Sequence, residues 1–263
     1  MNQDDLNETS PTLQPFDILL LLLAVAGGAC TAAIVLPAWL PGLTYSLLGD
    51  QPKVYWYLAR SSGFAAFLAF WMSIAFGLII TNKMARLWNS GPLAVDLHQF
   101  TTWLAFALSL FHALILLGDR YIQSTPAQVL TPFGYIKYKP EWVAVGQIAF
   151  YLTFVVAVSF YFRKRIGYRT WRRLHYLSFV IYLMITLHGL FAGTDAAILS
   201  PVYLAFGVGT YFLTIYRIVQ SIRVPAAHRP VLAPGARAGT VSPPAAASRL
   251  GGTAVGRGQP PIK

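Results

Sequence analysis

Acidic residues are scarce in this chain, nine Asp and Glu against 20 Lys and Arg over 263 residues, and none of the nine lies inside a long apolar run. A chain of carboxylates carrying protons through a membrane is therefore absent from the sequence. Cysteine is reduced to Cys30, which excludes an intramolecular disulfide and a cysteine-held metal cluster. Any metal bound here must use histidine. No glycine-rich dinucleotide fingerprint occurs, nor any nucleic-acid-binding motif, so the net charge of +11 does not point to nucleic acid. Charged residues make up only 11% of the chain and apolar ones 56%, far from the balance of a soluble domain.

What is present in their place is a series of uncharged runs long enough to cross a hydrocarbon core. They cover residues 18–36, 54–81, 97–118 and 142–162, a run around 175–188, and 196–216. The expectation is an all-α polytopic membrane protein, a six-helix bundle. The segment ending Gly27-Gly28-Ala29-Cys30 resembles a lipoprotein cleavage site, but no basic segment precedes it and the apolar run continues beyond Cys30, so the first helix is expected to be retained. Residues 1–15 are polar and acidic. Residues 223–263 are rich in Pro, Ala and Gly with scattered arginines, the composition of a disordered tail, and His228 within them is not a candidate ligand. The segment 119–141 mixes Thr-Pro, Phe-Gly and Tyr and is expected to form an ordered cover rather than a slack linker.

Lys and Arg divide unevenly between the two sides. With the amino terminus inside, Lys83, Arg86, six residues in 163–173 and seven from Arg217 to Lys263 give 15 inner charges, against Lys53, Arg120, Lys137 and Lys139 outside. This asymmetry predicts both termini on the cytoplasmic side.

Four of the five histidines stand at matched depths on two of these runs: His98 and His112 on the third, His175 and His188 on the fifth. At about 1.5 Å per residue, separations of 13 and 14 residues put each helix's imidazoles roughly 20 Å apart. Two such helices side by side offer one imidazole pair near each membrane face, and a pair of imidazoles across a bundle can hold a haem iron from both sides. A single intramembrane histidine is more simply a hydrogen-bonding partner for its neighbour; four at two matched levels favour ligands. Fourteen residues return to nearly the same helix face, but 13 leave the rings about 140° apart on an ideal helix. Either the fifth helix is locally distorted or its two cofactors approach from different sides. Arg60, a turn inside the second run, needs an anionic partner or a route to the surface, and a haem propionate is one such partner.

At these residues the chain resembles the ferric reductase-like transmembrane family, the membrane part of NADPH oxidases and iron reductases. The resemblance rests on six spans, on the spacings of His98 with His112 and of His175 with His188, and on Ala59-Arg60-Ser61-Ser62-Gly63, Trp171-Arg172-Arg173-Leu174-His175 and His188-Gly-Leu-Phe-Ala-Gly-Thr-Asp195. It covers about residues 16–222. It implies two b-type haems, held by His98 with His175 and by His112 with His188, and Arg60 beside the outer one. Electrons would pass singly from a cytoplasmic flavoprotein donor, expected to be separate because the tail is too short to house a flavin domain, to an outer-face acceptor such as a ferric chelate or a periplasmic redox protein. The expected setting is a bacterial plasma membrane, with the chain as the lipid-embedded subunit of an oxidoreductase. The haem subunit of the bacterial methionine sulfoxide reductase system is similar on the fifth helix but does not keep both third-helix histidines. NADPH oxidases carry a further histidine one turn beyond the outer ligand of the third helix, where this chain has Leu116, which argues against oxygen as acceptor. The competing readings are a transporter or proton relay built on the same histidines, and a single-haem assembly factor.

Overall fold

A computed structural model describes residues 11–42, 45, 53–81, 91–119, 122–135 and 138–223. Most of the polar amino-terminal segment, Lys83 and Arg86, and the tail from 224 onward with His228 lie outside the described residues. The first of two compact units is Met1–Ile222. The described residues are helical with short connections and contain no strand.

Six helices are long and apolar enough to cross a membrane. Helix α1, Pro15–Trp39, contains a π turn at Thr31–Val35. Helix α2 is Lys53–Thr81, and α3 is Gly91–Ile115 continued by a 3-10 turn at Leu116–Gly118. A short helix α4, Pro126–Leu130, precedes α5, Pro140–Ile166. The fifth span is split into α6, Tyr168–His175, and α7, Leu177–Ala192, and the last is α8, Ala196–Arg223. Large apolar side chains point outward along these helices, with Val208 66% and Phe212 67% exposed, a surface that lipid solvates and water would not.

Since lipid is as apolar as the side chains, close packing and polar contacts must hold the helices together. Small residues do much of this: Ala29, Ala105, Ala144 and Ala149 are fully buried. Helices α2 and α3 pack most extensively, and α5 lies along α7. The π turn is used as well. Tyr55 Oη donates to the Ala32 carbonyl at 2.8 Å, and the Tyr55 ring fills the space where Gly118 has no Cβ. At the other end of α1, Thr12 Oγ1 bonds Asp96 and Tyr161 Oη donates to the Leu13 carbonyl, tying the helix to α3 and α5.

Gly167 ends α5 with φ 84°, a left-handed value open to glycine, and the chain re-enters a helix at once as α6. The fifth span is then interrupted at Tyr176, whose ψ of −18° and the 3.2 Å bond from Phe179 N to Tyr176 O form a tight turn immediately after His175. The local distortion left open by the 13-residue histidine spacing is found at this point.

Phe106 joins three helices, stacking on Phe150 with ring centroids 4.5 Å apart and meeting Trp103 edge to face at 6.0 Å. Ile18 from α1 completes the cluster. Phe106→Ala is expected to cost about 3 kcal/mol through lost contacts and a cavity, measured as a lowered unfolding midpoint of the protein in detergent.

Candidate functional site

The structure brings the four histidines together two by two. His98 on α3 faces His175 at the end of α6, ring centroids 5.9 Å apart, and His112 on α3 faces His188 on α7 at 6.3 Å. A metal–nitrogen bond of ~2 Å on each side, plus the ~1 Å from ring nitrogen to ring centre, separates the centroids of two imidazoles on one iron by ~6 Å. Both pairs have that separation.

Three of the four rings are oriented in the same way. His98 Nδ1 lies 2.8 Å from the Ser73 carbonyl, His112 Nδ1 2.6 Å from the Ala59 carbonyl and His188 Nδ1 2.7 Å from the Trp142 carbonyl. A carbonyl only accepts, so each Nδ1 carries the proton and Nε2 is left with its lone pair for a metal. Ser73 adds its hydroxyl beside His98 at 3.1 Å and bonds Thr102 at 2.6 Å.

The carbonyls belong to helix residues whose usual partner is the N–H four positions later. Those later positions are Gly63, Gly77 and Gly146. A Cβ at Gly63 would stand 2.8 Å from His112 Nδ1, and one at Gly146 would stand 2.6 Å from His188 Nδ1. At Gly77 the nearest histidine atom would be 3.5 Å away, an ordinary contact. Each glycine thus leaves room for an imidazole to lie against the neighbouring helix and share a carbonyl that the helix already uses.

His175 is held differently. Its ring stacks on Trp171, one turn earlier, with centroids 5.2 Å apart and planes 25° from parallel. The Trp171 indole nitrogen is buried with no partner among the described residues.

A cavity surrounds the His112–His188 pair, walled by Phe67, Phe150 and Tyr203 and covered by residues of the 119–141 segment, among them Val129 and Tyr135. The expected ordered cover is present over its described part. Thr125 and Gln128 form a capping box that starts α4. The carbonyls that α4 leaves open at its end are taken from α5: Gln147 Nε2 donates to Gln128 O and Val129 O at 2.7 and 2.9 Å, and Tyr151 Oη donates to Leu130 O. Tyr138 Oη and Lys139 Nζ fasten the far end of the segment to the Ala192 and Phe191 carbonyls, both at 2.8 Å. Burial pushes the Tyr135 phenol up from its ordinary range, against the opposing effect of its bond to Ser124.

Arg60 opens into the same cavity and is ion-paired with Asp195 from the turn before α8. The anionic partner it needs is thus supplied by this chain's own carboxylate. Asp195 is the site residue that sequence reasoning passed over, although it closes the quoted His188 to Asp195 motif. Leu116, which also lines the cavity, packs with Tyr55, Ala59 and Ile115.

The donor set suits a haem. Among the described residues no group of three or more His, Cys, Asp or Glu could hold a bare ion, whereas two facing imidazoles complete an iron whose other four positions come from a porphyrin. Gly63→Ala and Gly146→Ala are expected to displace His112 and His188 respectively, at a cost of about 1–3 kcal/mol each. If each imidazole pair holds a haem, haem content should fall in both variants and stay unchanged in Gly77→Ala; haem-to-protein ratios check all three.

Residues 62–186 match the family model described as ferric reductase like transmembrane component. The matched segment contains His98, His112 and His175, and Arg60 and His188 fall just outside its two ends. No curated protein and no solved structure gives a significant match. The helices that carry the facing histidine pairs fall largely within that segment, and over it the membrane core of this chain is similar to the ferric reductase-like transmembrane family.

Proposed function

We propose that the chain is a transmembrane b-type dihaem cytochrome that carries single electrons from a cytoplasmic flavoprotein to an outer-face acceptor, a ferric chelate or a periplasmic redox protein. The observation that carries this reading is the pairing of imidazoles at 5.9 and 6.3 Å near opposite ends of the same two spans. When bound, each haem supplies an iron that alternates between ferric and ferrous. The chain's residues do the rest. The facing imidazoles of His98 with His175, and of His112 with His188, would hold the two haems, which would supply one-electron transfer between donor and acceptor. The backbone carbonyls of Ser73, Ala59 and Trp142 keep three ligand rings in the tautomer that binds metal. The apolar walls and the α4 cover keep bulk water from the outer group.

We read both termini as cytoplasmic, which the distribution of Lys and Arg supports, and the membrane as a bacterial plasma membrane. Outward electron movement is then favoured by about 2.3 kcal/mol per 100 mV of inside-negative potential. Arg60 stands beside the outer pair with its charge balanced by Asp195, and Leu116 offers an anionic oxygen product no hydrogen bond, which supports an acceptor other than oxygen. A proton relay is less well supported, because the described carboxylates Asp17, Asp96, Asp119, Glu141 and Asp195 all lie at or beyond the ends of the apolar runs.

Purified protein is expected to contain two haems per chain. His112→Leu or His188→Leu should remove one and leave the other, as read by absorption spectra and haem-to-protein ratio. A haem-free product from haem-sufficient expression is the result that defeats the proposal.

The donor is assigned to the basic stretch 163–173. Arg163 is only 8% exposed and its guanidinium lies 3.9 Å over the Phe160 ring, so it stands apart from the docking face. Lys164, Arg165, Arg169, Arg172 and Arg173 are exposed. Reversing the charge at Lys164, Arg165 and Arg169 is expected to slow reduction by an acidic flavoprotein roughly tenfold or more at low ionic strength, and to flatten the salt dependence. Stopped-flow reduction across a salt series checks this.

A further inference from the structure

We propose that Trp171 is the contact through which the electron enters the inner haem, a positioning and coupling residue between the basic docking face and the ligand His175. The inference rests on the dihaem reading and deepens it at the inner end. Tyr168, Trp171 and His175 lie three and four residues apart, which brings them onto one side of the short helix α6. Their rings touch in series: Tyr168 to Trp171 at 5.7 Å between centroids, Trp171 to His175 at 5.2 Å. Arg169, Arg172 and Arg173 occupy the exposed remainder of the same two turns, and the Arg172 guanidinium lies 5.7 Å from the centre of the Tyr168 ring. A donor drawn to those charges thus arrives beside the outer member of an aromatic series whose inner member is an iron ligand.

Two further observations favour Trp171 over a simple packing role. The other three ligand rings are seated on backbone carbonyls, and only His175 rests face to face on an aromatic side chain. The Trp171 N–H is also buried with no partner among the described residues, a polar group whose place beside a ligand histidine packing alone does not account for. The step is a one-electron transfer. One electron leaves the reduced flavin of the donor, the ferric iron held by His98 and His175 gains it and becomes ferrous, and the indole supplies a path without itself being oxidised or changing protonation.

The test uses the full-length, haem-loaded protein in lipid nanodiscs, with the hydroquinone of flavodoxin, an acidic one-electron donor, as the probe. Trp171→Leu is expected to slow haem reduction roughly tenfold, equivalent to about 1.4 kcal/mol of barrier. Trp171→Phe should keep most of the rate, and both should retain the salt dependence, because the docking arginines are untouched. The inner haem's reduction potential and its low-spin ferric paramagnetic resonance signal should stay at their wild-type values. Reduction at the wild-type rate in haem-loaded Trp171→Leu overturns the inference, as does a rate loss accompanied by a changed potential or resonance signal, which would make Trp171 a mere support for His175. Tyr168→Leu, one ring further from the iron, should give a smaller slowing and decides the matter if Trp171→Leu fails to keep its inner haem. These failures leave the cytochrome reading standing, whereas wild-type protein without haem sinks both.

Discussion

An imidazole in a lipid-embedded helix has to be given a direction and a tautomer, and the hydrogen bond from Nδ1 to a backbone carbonyl supplies both. A helical carbonyl has two lone pairs and the helix uses one, so a second donor can be accepted without unwinding the acceptor helix. What normally blocks the approach is the side chain one turn later. Gly63 and Gly146 remove it, and with it removed His112 settles against α2 and His188 against α5, while at Gly77 a Cβ would meet His98 only at an ordinary contact distance. The packing of α3 on α2, and of α5 along α7, brings those carbonyls within reach of the rings.

The remainder of the bundle keeps these seats in place where the solvent provides little drive to associate. Buried alanines allow the backbones to approach, and aromatic stacks such as Phe106 on Phe150 fill the wider gaps. Polar side chains are spent mainly on main-chain groups. Tyr55 reaches into the π turn of α1, and Gln147 and Tyr151 close the open end of α4. The outer cover is therefore fastened by the same helix, α5, that carries Gly146 and the Trp142 carbonyl, so cover and ligand seat share one support.

Much of this could be read in the residues. The six spans follow from uncharged runs bounded by charge, and the observed helices extend them by a few residues at the ends. The 13-residue interval between His175 and His188 left open either a local distortion or approach from two sides, and the structure shows a break at Tyr176. Other features were not legible. Arg60 could be seen to need an anion, but Asp195 lies 135 residues away and only packing brings the two together. The glycine seats escaped notice because each pairs a histidine with a glycine on a different helix, a relation that spacing along one chain does not record. Arg163 reads in sequence as one more surface cation, whereas the structure folds it back over Phe160 of the same helix and buries it. Helix existence is local; which face meets which neighbour is not.

The way the four rings are held also separates what mutation can adjust from what it cannot. A main-chain carbonyl is present whatever side chain its residue bears, so the acceptors at Ser73, Ala59 and Trp142 persist through most substitutions of those residues. Selection can reach the His112 and His188 seats chiefly by closing Gly63 and Gly146, an all-or-nothing change, whereas a Cβ at Gly77 is an ordinary contact for His98. His175 rests on a side chain, and a side chain can be exchanged in graded steps for another ring, a smaller group or a polar one. The His175 seat is accordingly the one left adjustable, while His112 and His188 are locked into the course of the backbone.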